Sequence, residues 1–140
     1  MRSISHYFDL ISSVAERSGA ASADIELNQR DPALGTVKGV LFFYDGSRLE
    51  FSETVAIERY RPVKLFYTYQ YVRDGEAVLR YDNAPHHPDL PNFPHHKHAR
   101  KERLPATEPT LSQVLSEVAT LLGEGPAGTP RGPRRRRTKR

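Results

Sequence analysis

The stretch TVKGVLFFYDGSRLEFSETVAI, residues 36–57, decides the fold. Two runs rich in Val, Leu, Phe and Ile, Thr36–Tyr44 and Arg48–Ile57, flank Asp45-Gly46. An Asp-Gly pair supplies the positive φ angles of a tight β-hairpin turn, so the stretch predicts two antiparallel strands. A two-residue turn pairs Phe42 with Leu49. A three-residue Asp-Gly-Ser loop pairs Phe43 with Leu49 and Leu41 with Phe51. Both registers give a ribbon with one apolar face.

Working outward, Lys64–Arg73 and Glu76–Asn83 flank a second such turn at Asp74-Gly75. A two-residue turn there sets Tyr71 against Val78, Tyr69 against Arg80 and Tyr67 against Asp82 on one side of the sheet. Phe66, Val72, Leu79 and Tyr81 then share the other side. Upstream, Asp24–Arg30 alternates Ile25 and Leu27 with Asp24, Glu26 and Asn28, the pattern of an edge strand, and Asp31–Gly35 with Pro32 reads as a turn. Ile4, Tyr7, Phe8, Ile11, Val14 and Ala15 follow helical spacing over Ile4–Arg17, with Ser3 or Ser5 as cap and Gly19 beyond the end. A second helix spans Thr110–Leu122, capped by Thr110, with Leu111, Val114, Leu115, Val118, Leu121 and Leu122 as its apolar stripe.

Between the second hairpin and that helix, Ala84–Pro109 holds six of the eleven prolines, at 85, 88, 91, 94, 105 and 109. Proline fixes φ and lacks a donor N–H, so the segment is expected to be neither helix nor central strand. The fold class read from these patterns is α+β: a five-stranded, mainly antiparallel sheet of β-hairpins flanked by an N-terminal and a C-terminal helix. One domain is expected over residues 1–122, with a His-rich loop at 84–109 and a disordered basic tail at 123–140.

The chain has 140 residues and no cysteine, which rules out a disulfide scaffold and any thiolate zinc site. No apolar run near the amino terminus reaches the roughly 7 residues of a signal peptide, and none approaches the roughly 20 that span a bilayer. A cytoplasmic protein with no membrane contact is expected. The net charge of +4 belongs to the tail: residues 131–140 carry seven Lys or Arg and no acid, leaving 14 basic against 17 acidic residues elsewhere. Only the tail therefore has the electrostatic footprint of nucleic-acid binding, and its contacts would be non-specific and salt-dependent.

Five of the six histidines, at 86, 87, 95, 96 and 98, fall within thirteen positions. Uniform scattering would put about half a histidine there. One explanation is acid–base catalysis, for histidine titrates near neutral pH and two can act as base and acid in metal-independent RNA cleavage. Lys97, Arg80 or Arg100 would then hold the phosphate. A second is a divalent transition metal such as zinc: on an extended segment His96 and His98 point the same way, and Asp82, Asp89 or another histidine completes the shell. The Pro-His-His-Lys-His run matches no standard zinc spacing, which counts against it. A third is structural, with imidazoles satisfying the backbone of a proline-studded crossing.

The candidate catalytic set is His95, His96, His98, Arg80 and Asp82, with His96 and His98 as acid–base pair and no cofactor. Asp82 would orient a histidine; an Arg80–Asp82 ion pair of purely structural kind is the alternative. Candidate substrate contacts are Lys97, His86, His87, Tyr69 and Glu53. Glu53 is an acid within an apolar strand, facing either solvent or the interior. The stripe Tyr67, Tyr69 and Tyr71 is more often sheet packing than a base-stacking platform.

These residues carry a resemblance. Asp45-Gly46-Ser47-Arg48-Leu49-Glu50-Phe51-Ser52-Glu53, the strand Tyr67–Tyr71, Arg80-Tyr81-Asp82-Asn83-Ala84-Pro85-His86-His87 and Phe93-Pro94-His95-His96-Lys97-His98 resemble the TumE family of bacterial toxin–antitoxin systems over about residues 5–122. The resemblance implies a small cytoplasmic toxin encoded beside a helix-turn-helix antitoxin that binds and neutralises it. It implies no mechanism, and the arginine-rich tail departs from the family's pattern. Three functions follow as expectations: a toxin cleaving RNA, a non-enzymatic protein whose histidine segment docks the antitoxin or nucleic acid, or a metal-dependent hydrolase with histidine ligands.

Overall fold

A computed structural model describes residues 1–84, 95–99 and 102–124. Two helices lie on one face of an antiparallel sheet. In chain order the elements are α1 (Ile4–Glu16), β1 (Ser22–Asp31), β2 (Leu34–Phe42), β3 (Arg48–Glu58), β4 (Arg61–Arg73), β5 (Glu76–Asp82), β6 (His96–Ala99), β7 (Glu102–Pro105) and α2 (Leu111–Glu124). The strands are hydrogen-bonded in sequence order, β1 to β7. The class is the α+β one expected, with seven strands instead of five. The physical reason lies in the proline spacing. No proline occurs between Pro94 and Pro105, so this part of the crossing keeps its backbone donors. It pairs with β5 and then with itself, and Pro105 ends the outermost strand, where a missing N–H is harmless.

The helices form as their periodicity requires. Ser3 caps α1, its side chain accepting from the His6 amide, and Gly19 turns the chain away at φ +83. Thr110 and Gln113 cap α2 reciprocally, each side-chain oxygen accepting from the other's amide at 3.1 and 2.9 Å. Ile4, Tyr7, Ile11, Leu111, Val114 and Val118 close over Val37, Leu41, Leu49, Phe51, Val55 and Leu79 of the sheet. Among the described residues no element covers the opposite face.

Both hairpins deviate from the simplest geometry. In the first, Phe42 pairs with Arg48 and Leu41 with Leu49, so neither expected register holds. Asp45 accepts from the Ser47 amide at 2.9 Å, and the Phe43 amide donates to the Ser47 carbonyl at 2.9 Å, which draws residues 43–47 into a longer loop. In the second, the two-residue turn sets Arg73 against Glu76 and Val72 against Ala77, and then the register slips. Val78 is the extra residue of a bulge, and Tyr71 faces Leu79, Tyr69 faces Tyr81 and Thr68 faces Asp82. Because side chains alternate, one residue of slip exchanges the faces. Arg80 and Asp82 therefore leave the tyrosine side and emerge on the uncovered one.

Candidate functional site

Asp82 is fully buried, yet it lies at the end of β5 on the face that no described element covers. Its register partners are Thr68 on β4 and His96 on β6, while Arg80 pairs with Gln70 and His98. Cross-strand partners share a face, so Asp82, His96, Arg80 and His98 form a two-by-two block.

The carboxylate is the hub of this block. Oδ1 lies 2.8 Å from His96 Nε2 and accepts from the Ala84 amide at 3.0 Å. Oδ2 accepts from Arg80 Nε at 2.9 Å and lies 3.7 Å from His98 Nε2. The two imidazoles meet edge-on with centroids 4.9 Å apart. Burial divides the roles: His96 is enclosed, whereas 25% of the His98 side chain and 41% of the Arg80 side chain meet solvent. Within this block His98 and Arg80 reach solvent, and Asp82 and His96 stand behind them. Asn83 steadies the strand exit, accepting from the Tyr67 amide at 3.0 Å and donating to the Leu65 carbonyl at 3.0 Å.

Arg80 continues the polar surface across the sheet. Its Nη1 donates to Gln70 Oε1 at 3.2 Å, Gln70 Nε2 donates to Glu50 at 3.5 Å, and Glu50 accepts from Arg48 Nε at 2.6 Å. Here the sheet face forms an open hollow of about 410 Å³. Gln70 is a site residue the sequence reading missed. Its alternation with Tyr69 and Tyr71 was the available signal, but it needed the correct side for Arg80.

Lys97 and His95 stand on the helix side instead. Lys97 Nζ donates to Glu117 at 2.6 Å, and Tyr81 donates its hydroxyl to the same carboxylate at 2.7 Å. Burial pulls the Lys97 pKa down, but the bonds to Glu117 and Tyr81 outweigh it and the net shift is upward. Lys97 thus cannot join Arg80 as a phosphate clamp, because alternation along β6 sends it through the sheet. His95 stacks on Tyr67, with Nδ1 2.9 Å from the Tyr67 hydroxyl.

Glu53 is inward, not solvent-facing. Its carboxylate accepts from the hydroxyls of Tyr7 and Tyr69, and Lys64 Nζ lies 3.5 Å away. Lys64 also donates to the Tyr69 hydroxyl and the Pro109 carbonyl, both at 2.5 Å. Burial lowers the Lys64 pKa against the raising pull of Glu53 and Glu108. Tyr69 and Glu53, both expected to contact substrate, are sealed beneath the helices and serve as a buried polar brace. Tyr7 and Lys64 complete that brace; the sequence marked Tyr7 only as part of the apolar stripe of the first helix and Lys64 only as a strand end.

His86, His87 and Asp89, as well as Arg100 and the basic tail at 131–140, lie outside the described residues. No helix among the described residues is long and apolar enough to cross a membrane.

A small α+β protein with an ionic block on one sheet face and a buried brace on the other is the class that this geometry defines. The chain belongs to the TumE toxin family, whose model matches residues 8–122. No curated protein and no solved structure matches it.

Proposed function

We propose that this toxin cleaves RNA at the Asp82–His98–Arg80 block without a metal. The observation that carries the reading is the Asp82 carboxylate set between a partly exposed imidazole and a partly exposed guanidinium. Asp82 orients His98 as general base, and Arg80 balances the charge that builds on the phosphate. His98 takes the 2′-hydroxyl proton, the 2′-oxygen attacks phosphorus, and the 5′-oxygen leaves with a proton from water. The products are a 2′,3′-cyclic phosphate and a 5′-hydroxyl. His96, buried against Asp82, is a positioning residue. The expected acid–base pair of His96 and His98 thereby becomes one working imidazole and one support.

A second reading has its own observation. One donor atom each from Asp82, His96 and His98 lies within 4.8 Å of the others, a grouping able to hold a divalent transition metal. Against it, Arg80 and the Ala84 amide already occupy the carboxylate oxygens. A helix-turn-helix antitoxin is the proposed neutralising partner, and a non-enzymatic toxin that only docks such a partner is the remaining alternative.

The test is expression of the wild type, His98→Ala and Arg80→Ala in bacteria lacking the antitoxin, with RNA integrity followed in purified reactions. The wild type alone should arrest growth and degrade RNA, and EDTA should leave the rate unchanged. Equal arrest by His98→Ala refutes the site, and loss of activity in EDTA transfers the chemistry to the metal reading.

A further inference from the structure

We infer that the hollow beside Arg80 is a nucleobase subsite that takes guanine. The inference rests on the RNA-cleaving reading and names the nucleoside it acts on.

Size and position come first. At about 410 Å³ the hollow is of the order that encloses one small ligand, and far too small for a folded RNA. The row Val40, Glu50, Gln70, Arg80 and His98 is continuous in register from β2 to β6. Strands lie about 4.8 Å apart, so Glu50 stands roughly 10 Å from Arg80 along the sheet. That is about the span from a nucleotide's phosphate to the far edge of its base. With the phosphate at Arg80 and His98, the base lies over Gln70 and reaches Glu50 and Lys38, with Val40 as an apolar patch of floor.

Charge then limits what enters. The far end carries Asp24, Glu26 and Glu50 with Lys38 among them, and Arg48 is paired to Glu50; the acids still outnumber the cations. Further phosphates are repelled there, so the backbone cannot run along the hollow. The anionic end instead accepts N–H groups, while Lys38 donates to a carbonyl.

Base chemistry selects among the four. Guanine offers a carbonyl oxygen and, next to it, a ring N–H and an amino group along one edge. Those are the partners of an ammonium and a carboxylate on one sheet face, Lys38 lying diagonal to Glu50 across the β2–β3 pair, and single-stranded RNA exposes this edge. Adenine and cytosine place a bare ring nitrogen where the carboxylate needs a donor, and uracil gives it one N–H between two carbonyls. Glu50 is partly exposed; Arg48 holds its Oε2 at 2.6 Å, but Oε1 meets Gln70 only at 3.5 Å, a long contact that a base can replace.

Calorimetric titration of the full-length protein with guanosine 3′-monophosphate and uridine 3′-monophosphate tests this, with circular dichroism confirming each variant's fold. Guanosine 3′-monophosphate should bind at least tenfold tighter. Glu50→Gln should abolish the difference, and Lys38→Ala should weaken the guanosine nucleotide alone by several-fold. RNA ends should map 3′ of guanosine. Equal binding of the two nucleotides, or a preference that survives Glu50→Gln, overturns the subsite. Selective binding without RNA cleavage would retain the subsite and refute the cleavage reading; cleavage after every base would do the reverse.

Discussion

Replacing the Tyr69 hydroxyl by hydrogen removes one of the two phenols that hold the Glu53 carboxylate. Burial first, and the Glu53 charge second, raise the pKa of both Tyr7 and Tyr69 above the ordinary phenol value of 10.0. A folded-state pKa above the unfolded one means that this stability is whole below about pH 10 and is lost as the pH climbs past it. Chemical denaturation should therefore show a steep alkaline fall for the wild type and a shallower one for Tyr69→Phe. At neutral pH that variant should lose about 1–3 kcal/mol, the cost of a buried acceptor left short of a partner. Glu53→Ala should lose more, about 3–5 kcal/mol, since Lys64 would keep a buried charge without its counterion.

Among the elements, β2 shows how closely a strand can depend on the absence of a side chain. A Cβ at Gly39 would meet the Phe51 ring at 2.5 Å. Gly39→Ala should destabilise by about 1–3 kcal/mol, and adding Phe51→Leu should restore part of the melting temperature. The turn joining β3 to β4 shows the converse. Arg59 and Tyr60 hold φ angles of 52 and 63, a left-handed pair that glycine and asparagine adopt more readily. Arg59→Asn with Tyr60→Gly should raise stability by about 1 kcal/mol, read as a shift in the urea midpoint. That turn was illegible in the sequence because its residues carry no turn signal, whereas Asp45-Gly46 and Asp74-Gly75 marked theirs. The helices were legible because their stripes and caps are local. The registers were not, since an Asp45 side-chain bond and a bulge at Val78 act below the resolution of any period-two pattern. The candidate site suffered from the same bulge: the plain two-residue turn set Arg80 and Asp82 on the side of Tyr67 and Tyr69, whereas the slip gathers them with His96 and His98 on the other face and leaves Tyr69 and Lys97 on the helix side.

For the molecule as a whole, the sheet is a partition. The helix side holds the brace of Glu53, Tyr7, Tyr69 and Lys64, together with Lys97 on Glu117; the other side holds the Asp82 block and the hollow. Damage on one side should be separable from damage on the other. Lys97→Met should cost no more than about 1 kcal/mol, as a partly exposed ion pair does, and should leave growth arrest intact. His98→Ala should abolish arrest with the melting temperature little changed. Paired growth and thermal-melt assays of the two variants would show whether this division holds.

The bulge at Val78 has an evolutionary corollary. It works as a phase marker, and the two groups proposed to act on the phosphate, Arg80 and His98, lie after it in the chain. Losing the Val78 codon would remove the bulge yet leave Tyr71 facing Leu79 and Gln70 facing Arg80, so Arg80 and Asp82 would keep the uncovered side and Leu79 and Tyr81 the core side. Descendants of this protein can therefore shorten β5 by one residue at the bulge without turning the strand over.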